Sequence, residues 1–194
     1  MSYSDCNIFV GIDQSLNSTG YCIRYPTGSP YEDTKGLIKP GKRRGGSRLE
    51  YIYSCLEKIL TPLESSSIVV CMEGYAYNAK GKVFELGECG GIIKLLLRHL
   101  GIKAVFSVPP TDLKKFVTGK ASASKEQMMS ATGERQDDIA DATGLAWIAQ
   151  EIAQRNTKER KKLEVISNCL KGEREKKEKP KYKRAVHKRN ELRL

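Results

Sequence analysis

Apolar residues fall in short unbroken runs early in the chain and in helical stripes later. The run Phe9-Val10-Gly11-Ile12 ends on Asp13, a polar turn follows, and a second run, Tyr21-Cys22-Ile23, returns. Runs of this length bounded by turn residues predict strands at 7–13 and 19–25. Pro26-Thr27-Gly28-Ser29-Pro30 is a turn by composition, and 34–39 reads as a third strand. Strands joined by connections this short pair antiparallel. Residues 39–46 are loop, and Ser47 and Glu50 then stand at capping-box spacing. Leu49, Ile52, Tyr53, Leu56, Ile59 and Leu60 follow at helical intervals, up to Pro62. Residues 67–73 are apolar until they end on Glu73, which predicts a strand buried on both faces. A helix is expected over 83–100, where Gly87, Gly90 and Gly91 suit the close approach of another backbone. A strand over 103–108, short helices to Val117 and from Ser124, and a long helix over 136–152 complete the pattern. A weak stripe of Leu163, Ile166 and Leu170 predicts more helix over 157–170, and composition predicts disorder from 171 on. The fold class is α/β: a mixed five-stranded sheet, three strands antiparallel and two parallel, flanked by helices.

Charge divides the chain. Of the net +11, residues 155–194 carry 16 Lys/Arg against 6 Asp/Glu, while residues 1–154 carry 18 against 17. A nearly neutral domain at 1–154 and a basic, helical or disordered tail at 155–194 are expected. A polycationic tail points to a polyanion, most often nucleic acid, and the bland alternative is a solvated end. No apolar run is long enough to span a bilayer, so no membrane partner is expected. The N-terminus lacks a basic region followed by an apolar one, so no secretory signal is expected. Six cysteines, at 6, 22, 55, 71, 89 and 169, form no Cys-x-x-Cys pair. They read as reduced thiols of a cytoplasmic protein.

Four carboxylates change the picture. Asp13 and Glu73 terminate buried strands, where a carboxylate is costly without a positive partner. Asp138 and Asp141 sit three residues apart at the start of the last long helix and share a face, from which Asp137 points away. An acidic first turn that merely suits the helix dipole is the plain alternative for this pair. Together the four make a hard, all-oxygen cluster that repels itself unless cations fill it. Such donors select Mg²⁺, with Mn²⁺ able to substitute, over Zn²⁺. His99 and His187 lie away from these motifs. Two such ions roughly 4 Å apart would clamp a phosphodiester for hydrolysis.

Asp13-Gln14-Ser15-Leu16-Asn17-Ser18-Thr19-Gly20, Val70-Cys71-Met72-Glu73, Leu86-Gly87-Glu88-Cys89-Gly90-Gly91-Ile92, the stretch from Lys114 to Lys125, and Asp138-Ile139-Ala140-Asp141-Ala142 occur in that order. In this the chain resembles the RuvC-type Holliday-junction resolvases, those of bacteriophages most of all, over residues 7–152. The resemblance implies an RNase H-like fold and a homodimer joined through the helix at 83–100. It implies a Mg²⁺-dependent endonuclease cutting four-way or branched DNA, with two ions per site, in a bacterial or phage-infected cell. Asp13, Glu73, Asp138 and Asp141 match the family's metal-binding acids. Lys114 and Lys125 match lysines near the scissile phosphate, with Lys115 and Lys120 as close substitutes. Tyr75 and Tyr77 lie where the family often carries a base-stacking aromatic. Lys80, Lys82, Arg43 and Arg44, in flanking basic loops, are further DNA-binding candidates. The resemblance departs in two respects: only twelve residues separate Lys125 from Asp138, so the intervening helix must be short, and the tail after residue 155 has no counterpart in the family.

Other functions stay open from sequence alone. One is a non-catalytic branched-DNA scaffold on the same fold, against which four intact acids argue. Another is a nuclease of broader branched-DNA or RNA–DNA hybrid specificity. A sugar-kinase or actin-like ATPase would need a second lobe and a second phosphate loop, for which this chain is too short.

Overall fold

The computed structural model describes residues 3–74 and 83–178, the last seven by backbone alone. Strands β1 (Ile8–Asp13), β2 (Thr19–Arg24) and β3 (Thr34–Ile38) come first, then helix α1 (Gly45–Leu60) and strand β4 (Ile68–Glu73). Helix α2 (Val83–His99), strand β5 (Ala104–Val108) and helices α3 (Pro110–Thr118), α4 (Lys125–Thr132), α5 (Asp137–Gln154) and α6 (Arg160–Glu178) follow. The sheet order is β3-β2-β1-β4-β5. β1 pairs antiparallel with β2, and β2 with β3; β1–β4 and β4–β5 are parallel.

Strand alternation sorts the core into two layers. Ile8, Val10, Ile12, Val70 and Met72 face α1 and α2. Phe9, Val69, Cys71 and Phe106 face α3, α4, α5 and α6. By the same alternation Asp13 and Glu73 lie on the α5 side, at the C-terminal ends of neighbouring parallel strands whose register pairs Ile12 with Met72.

Two glycines bring α5 down onto the sheet. A Cβ on Gly11 would stand 1.9 Å from the Ala142 carbonyl oxygen, and one on Gly20 would stand 2.2 Å from that of Asp138. Any side chain at either position would lift the helix that carries Asp138 and Asp141.

Three sequence expectations need correction. The Ser47–Glu50 capping box does not form: α1 begins three residues earlier, its N-cap is Arg44, and the Ser47 hydroxyl donates back to the Arg44 carbonyl. The charge boundary at residue 154 is not a packing boundary. Arg155, in a left-handed conformation, ends α5, and α6 turns back to bury Val165, Ile166 and Cys169 in the core beneath it. Disorder expected from 171 gives way to helix as far as Glu178, while residues 179–194 lie outside the described residues. The short helix required between Lys125 and Asp138 is present as the eight residues of α4, started by a capping box between Ser124 and Gln127. All six cysteines are free thiols. No helix among the described residues is long and apolar enough to cross a membrane.

Candidate active site

A cleft of about 420 Å³ opens at the C-terminal ends of β1 and β4, lined by Asp13, Glu73, Asp138 and Asp141 together with Gln14 and Lys125. Three elements deliver the acids: β1 and β4 one each, and the first turns of α5 the other two.

The electrostatics follow from burial. Asp13 is 7% exposed, and its carboxyl is held well above the usual carboxylate range, first by desolvation and then by Glu73, Asp141 and Asp138. Glu73 is also raised by burial, although its hydrogen bond with Asp13 and the nearby Lys114 pull the other way. Both directions have one physical cause: two carboxylates are crowded together away from water. Desolvation lifts Asp141 to about 6 against the opposing pull of Lys114.

The donor set fits a hard divalent cation. Every ligand candidate is an oxygen, and no basic side chain is among the causes acting on Asp13. Gln14 donates its Nε2 to the Glu73 carbonyl at 2.8 Å, leaving its Oε1 buried at the cleft without a hydrogen-bond partner. A buried acceptor left open in this way suits a cation or its water. Among the described residues no three His, Cys, Asp or Glu side chains already stand as a closed metal-holding group.

The predicted helpers divide. Lys125 lines the cleft, where its ammonium is paired with Asp137. This raises the Lys125 pKa and lowers that of Asp137. Asp137 therefore reaches the same cleft rather than pointing away: as the first residue of α5 it extends over the helix start toward α4. Lys114, on α3, lies close enough to act on Glu73 and Asp141 without lining the cleft. Lys115 points to the other side of α3 and is paired with Glu164 of α6 at 2.7 Å. Lys120 is exposed on a separate groove between α3 and α4. Arg43 stacks over the Tyr51 ring at 4.2 Å, and Arg44 donates to the Arg43 carbonyl. Tyr75, Tyr77, Lys80 and Lys82 lie outside the described residues. Sequence reasoning missed Gln14, whose role is visible only once β1 and β4 are paired, and the Lys125–Asp137 contact.

The family model described as "Crossover junction endodeoxyribonuclease RuvC" matches residues 9–149. A relative of that name from Chloroherpeton thalassium is 30% identical over 149 residues, covering 72% of this chain and 79% of its own. Another, from Pseudothermotoga lettingae, is 27% identical over 150 residues, covering 72% of this chain and 91% of its own. Among solved structures, "T. thermophilus RuvC in complex with Holliday junction substrate" superposes with a TM-score of 0.61 at 18% identity, covering 78% of this chain and 97% of that one.

Proposed function

The chain belongs to the RuvC family of crossover junction endodeoxyribonucleases, and from that membership we propose how its own residues cut branched DNA. The fold is RNase H-like, and the activity is hydrolysis of phosphodiester bonds in Holliday junctions, dependent on a divalent metal. The observation that carries the reading is the convergence of Asp13, Glu73, Asp138 and Asp141 from three elements into one cleft.

These four carboxylates would hold two Mg²⁺ ions, with Mn²⁺ able to replace them. When bound, such ions activate water and neutralise charge on the phosphate under attack. The chain's residues do the rest. Gln14 anchors the backbone at Glu73, and Gly11 and Gly20 set the height of Asp138 and Asp141 over the sheet. Lys114 offsets part of the acids' mutual repulsion. Lys125, held at the mouth by Asp137, is placed to exchange that carboxylate for an arriving phosphate. Tyr75, Tyr77, Lys80 and Lys82, which follow Glu73 in sequence, are DNA-contact candidates by family resemblance, with Arg44 and Lys120 as outlying phosphate contacts.

A second copy of the chain is the expected partner. Phe84 is 90% and Leu95 49% exposed on α2, and they share a helix face with Gly91, beside which no atom approaches within 4 Å. Pairing through this face would set two clefts against two strands of one junction. A DNA substrate supports a location in the cytoplasm of a bacterial or phage-infected cell.

The test is cleavage of a labelled four-way junction beside a linear duplex of the same sequence, in Mg²⁺, in Mn²⁺ and with chelator. Paired, ligatable nicks are expected in the junction alone, and none with chelator. Equal cutting of the duplex would favour a broader nuclease, and binding without cutting a scaffold.

A further inference from the structure

We propose that a second groove, adjoining the acid cleft on its β3 and α4 side, is a phosphate-backbone site for the DNA strand leaving the cleft, with Arg135, Lys39 and Ser18 as its contacts. The inference rests on the nuclease reading and extends it to a strand path.

The groove measures about 480 Å³ and shares Lys125, Asp137 and Asp138 with the acid cleft, so the two adjoin along these residues. This size lies within the range of small-ligand clefts, roughly 300–1,000 Å³, and suits a short stretch of single backbone rather than a duplex. Its walls come from opposite sides. Ile38, the last residue of β3, pairs with Thr19, so Lys39 stands at the same end of the sheet as Asp13. Arg135 occupies the turn between α4 and α5, two residues before the acidic helix begins.

Charge distinguishes these two from their neighbours. Lys35 is paired with Glu134, and Lys125 with Asp137. Lys39 and Arg135 are exposed and carry no ion pair among the described residues. The one other carboxylate on the wall, Glu126, is hydrogen-bonded to Ser124 at the cap of α4. Ser18 adds a different signal: it lines the groove, and its Oγ is buried with no hydrogen-bond partner. A buried hydroxyl left unpaired has one proton to donate, and an anionic phosphate oxygen is a strong acceptor for it.

A four-carboxylate cluster repels a polyanion, so a strand crossing it needs cations on both flanks. Lys114 supplies one on the β5 side. Arg135 and Lys39 supply them on the β3 side, and the strand crosses the end of the sheet between them.

The experiment measures junction binding across a salt series for the wild type, Arg135→Ala, Lys39→Ala and their double variant. Lys58→Ala, at the far end of α1, removes the same charge elsewhere. In parallel, single uncharged methylphosphonate linkages are walked along each strand through the cut position. Each groove variant should lower the slope of log affinity against log salt by about 0.7, the single-strand value, and Lys58→Ala should not. Neutral linkages on one side of the cut should weaken binding of the wild type but not of the double variant. Equal slopes for Lys58→Ala and the groove variants, or undiminished methylphosphonate sensitivity in the double variant, would overturn the proposal. Both readouts are binding, so a protein that shows the one-sided pattern but does not cut would overturn the nuclease reading and leave the groove standing.

Discussion

Asp13 is buried against three other acids and has no basic side chain opposing its burial. Isolated buried charge costs several kcal/mol, so in the absence of metal the site is a source of instability. Asp141 gives this a pH signature. Its folded value of about 6 lies above the ordinary 3.8, so the folded chain binds protons more tightly than the unfolded one. The stability associated with its protonation is fully present below about pH 4 and lost as pH rises through about 6. A rise of this size corresponds to about 3 kcal/mol, reduced by solvent at the open cleft to roughly 1–2 kcal/mol. Without divalent ions, Asp141→Asn should therefore melt like the wild type near pH 4 and above it at pH 7 and higher. Millimolar Mg²⁺ should reverse that order. Thermal melts of the two proteins across pH, with and without the ion, check this; a constant difference would mean that Asp141 does not sense the cluster.

The elements show where sequence reading succeeds and where it stops. Asp13 and Glu73 were legible because each ends an apolar run, and Asp138 and Asp141 because three residues of helix bring two side chains to one face. The mix of antiparallel and parallel strands followed from short connections early in the chain and from one strand buried on both sides, whereas the order β3-β2-β1-β4-β5 did not. Contacts between residues far apart in sequence carried no such signal. Lys115 reads as a DNA-facing lysine until Glu164, from a helix beyond the matched family region, pairs with it. That helix hides its buried side, Val165, Ile166 and Cys169, in a stretch dominated by Lys and Glu. It runs antiparallel to α3: Lys161 donates to the Gly119 carbonyl at one end, and Asn168 donates to Asp112 at the other. The helix is thus a brace for the element that carries Lys114. Val165→Ala should cost about 2 kcal/mol and lower the melting midpoint by about 4–8 °C. An unchanged midpoint would make α6 a bystander. Gly20→Ala, which forces α5 off the sheet at Asp138, should reduce cleavage more than junction binding. Parallel losses in both would argue against a positioning role.

For the whole molecule, charge and packing divide the chain at different places. Residues 179–194 carry seven Lys/Arg and one Glu, whereas a cut at 154 would strip Val165, Ile166 and Cys169 from the core. A chain ending at Glu178 is therefore the fair comparison. If three or four of the removed cations touch phosphates, its salt slope should be shallower by roughly 3, with the preference for junction over linear duplex retained. An unchanged slope would leave the tail without a role in binding. The central claim is that the acid cleft performs metal-dependent cutting of a junction that other surfaces bind. The most direct measurement follows binding and cleavage of one labelled four-way junction by the wild type and by Asp13→Asn, in Mg²⁺. Removing one ligand from the site forfeits several kcal/mol of transition-state stabilisation, so cleavage should fall by roughly 10³-fold or more while affinity changes little. Cleavage by folded Asp13→Asn at the wild-type rate would contradict the claim.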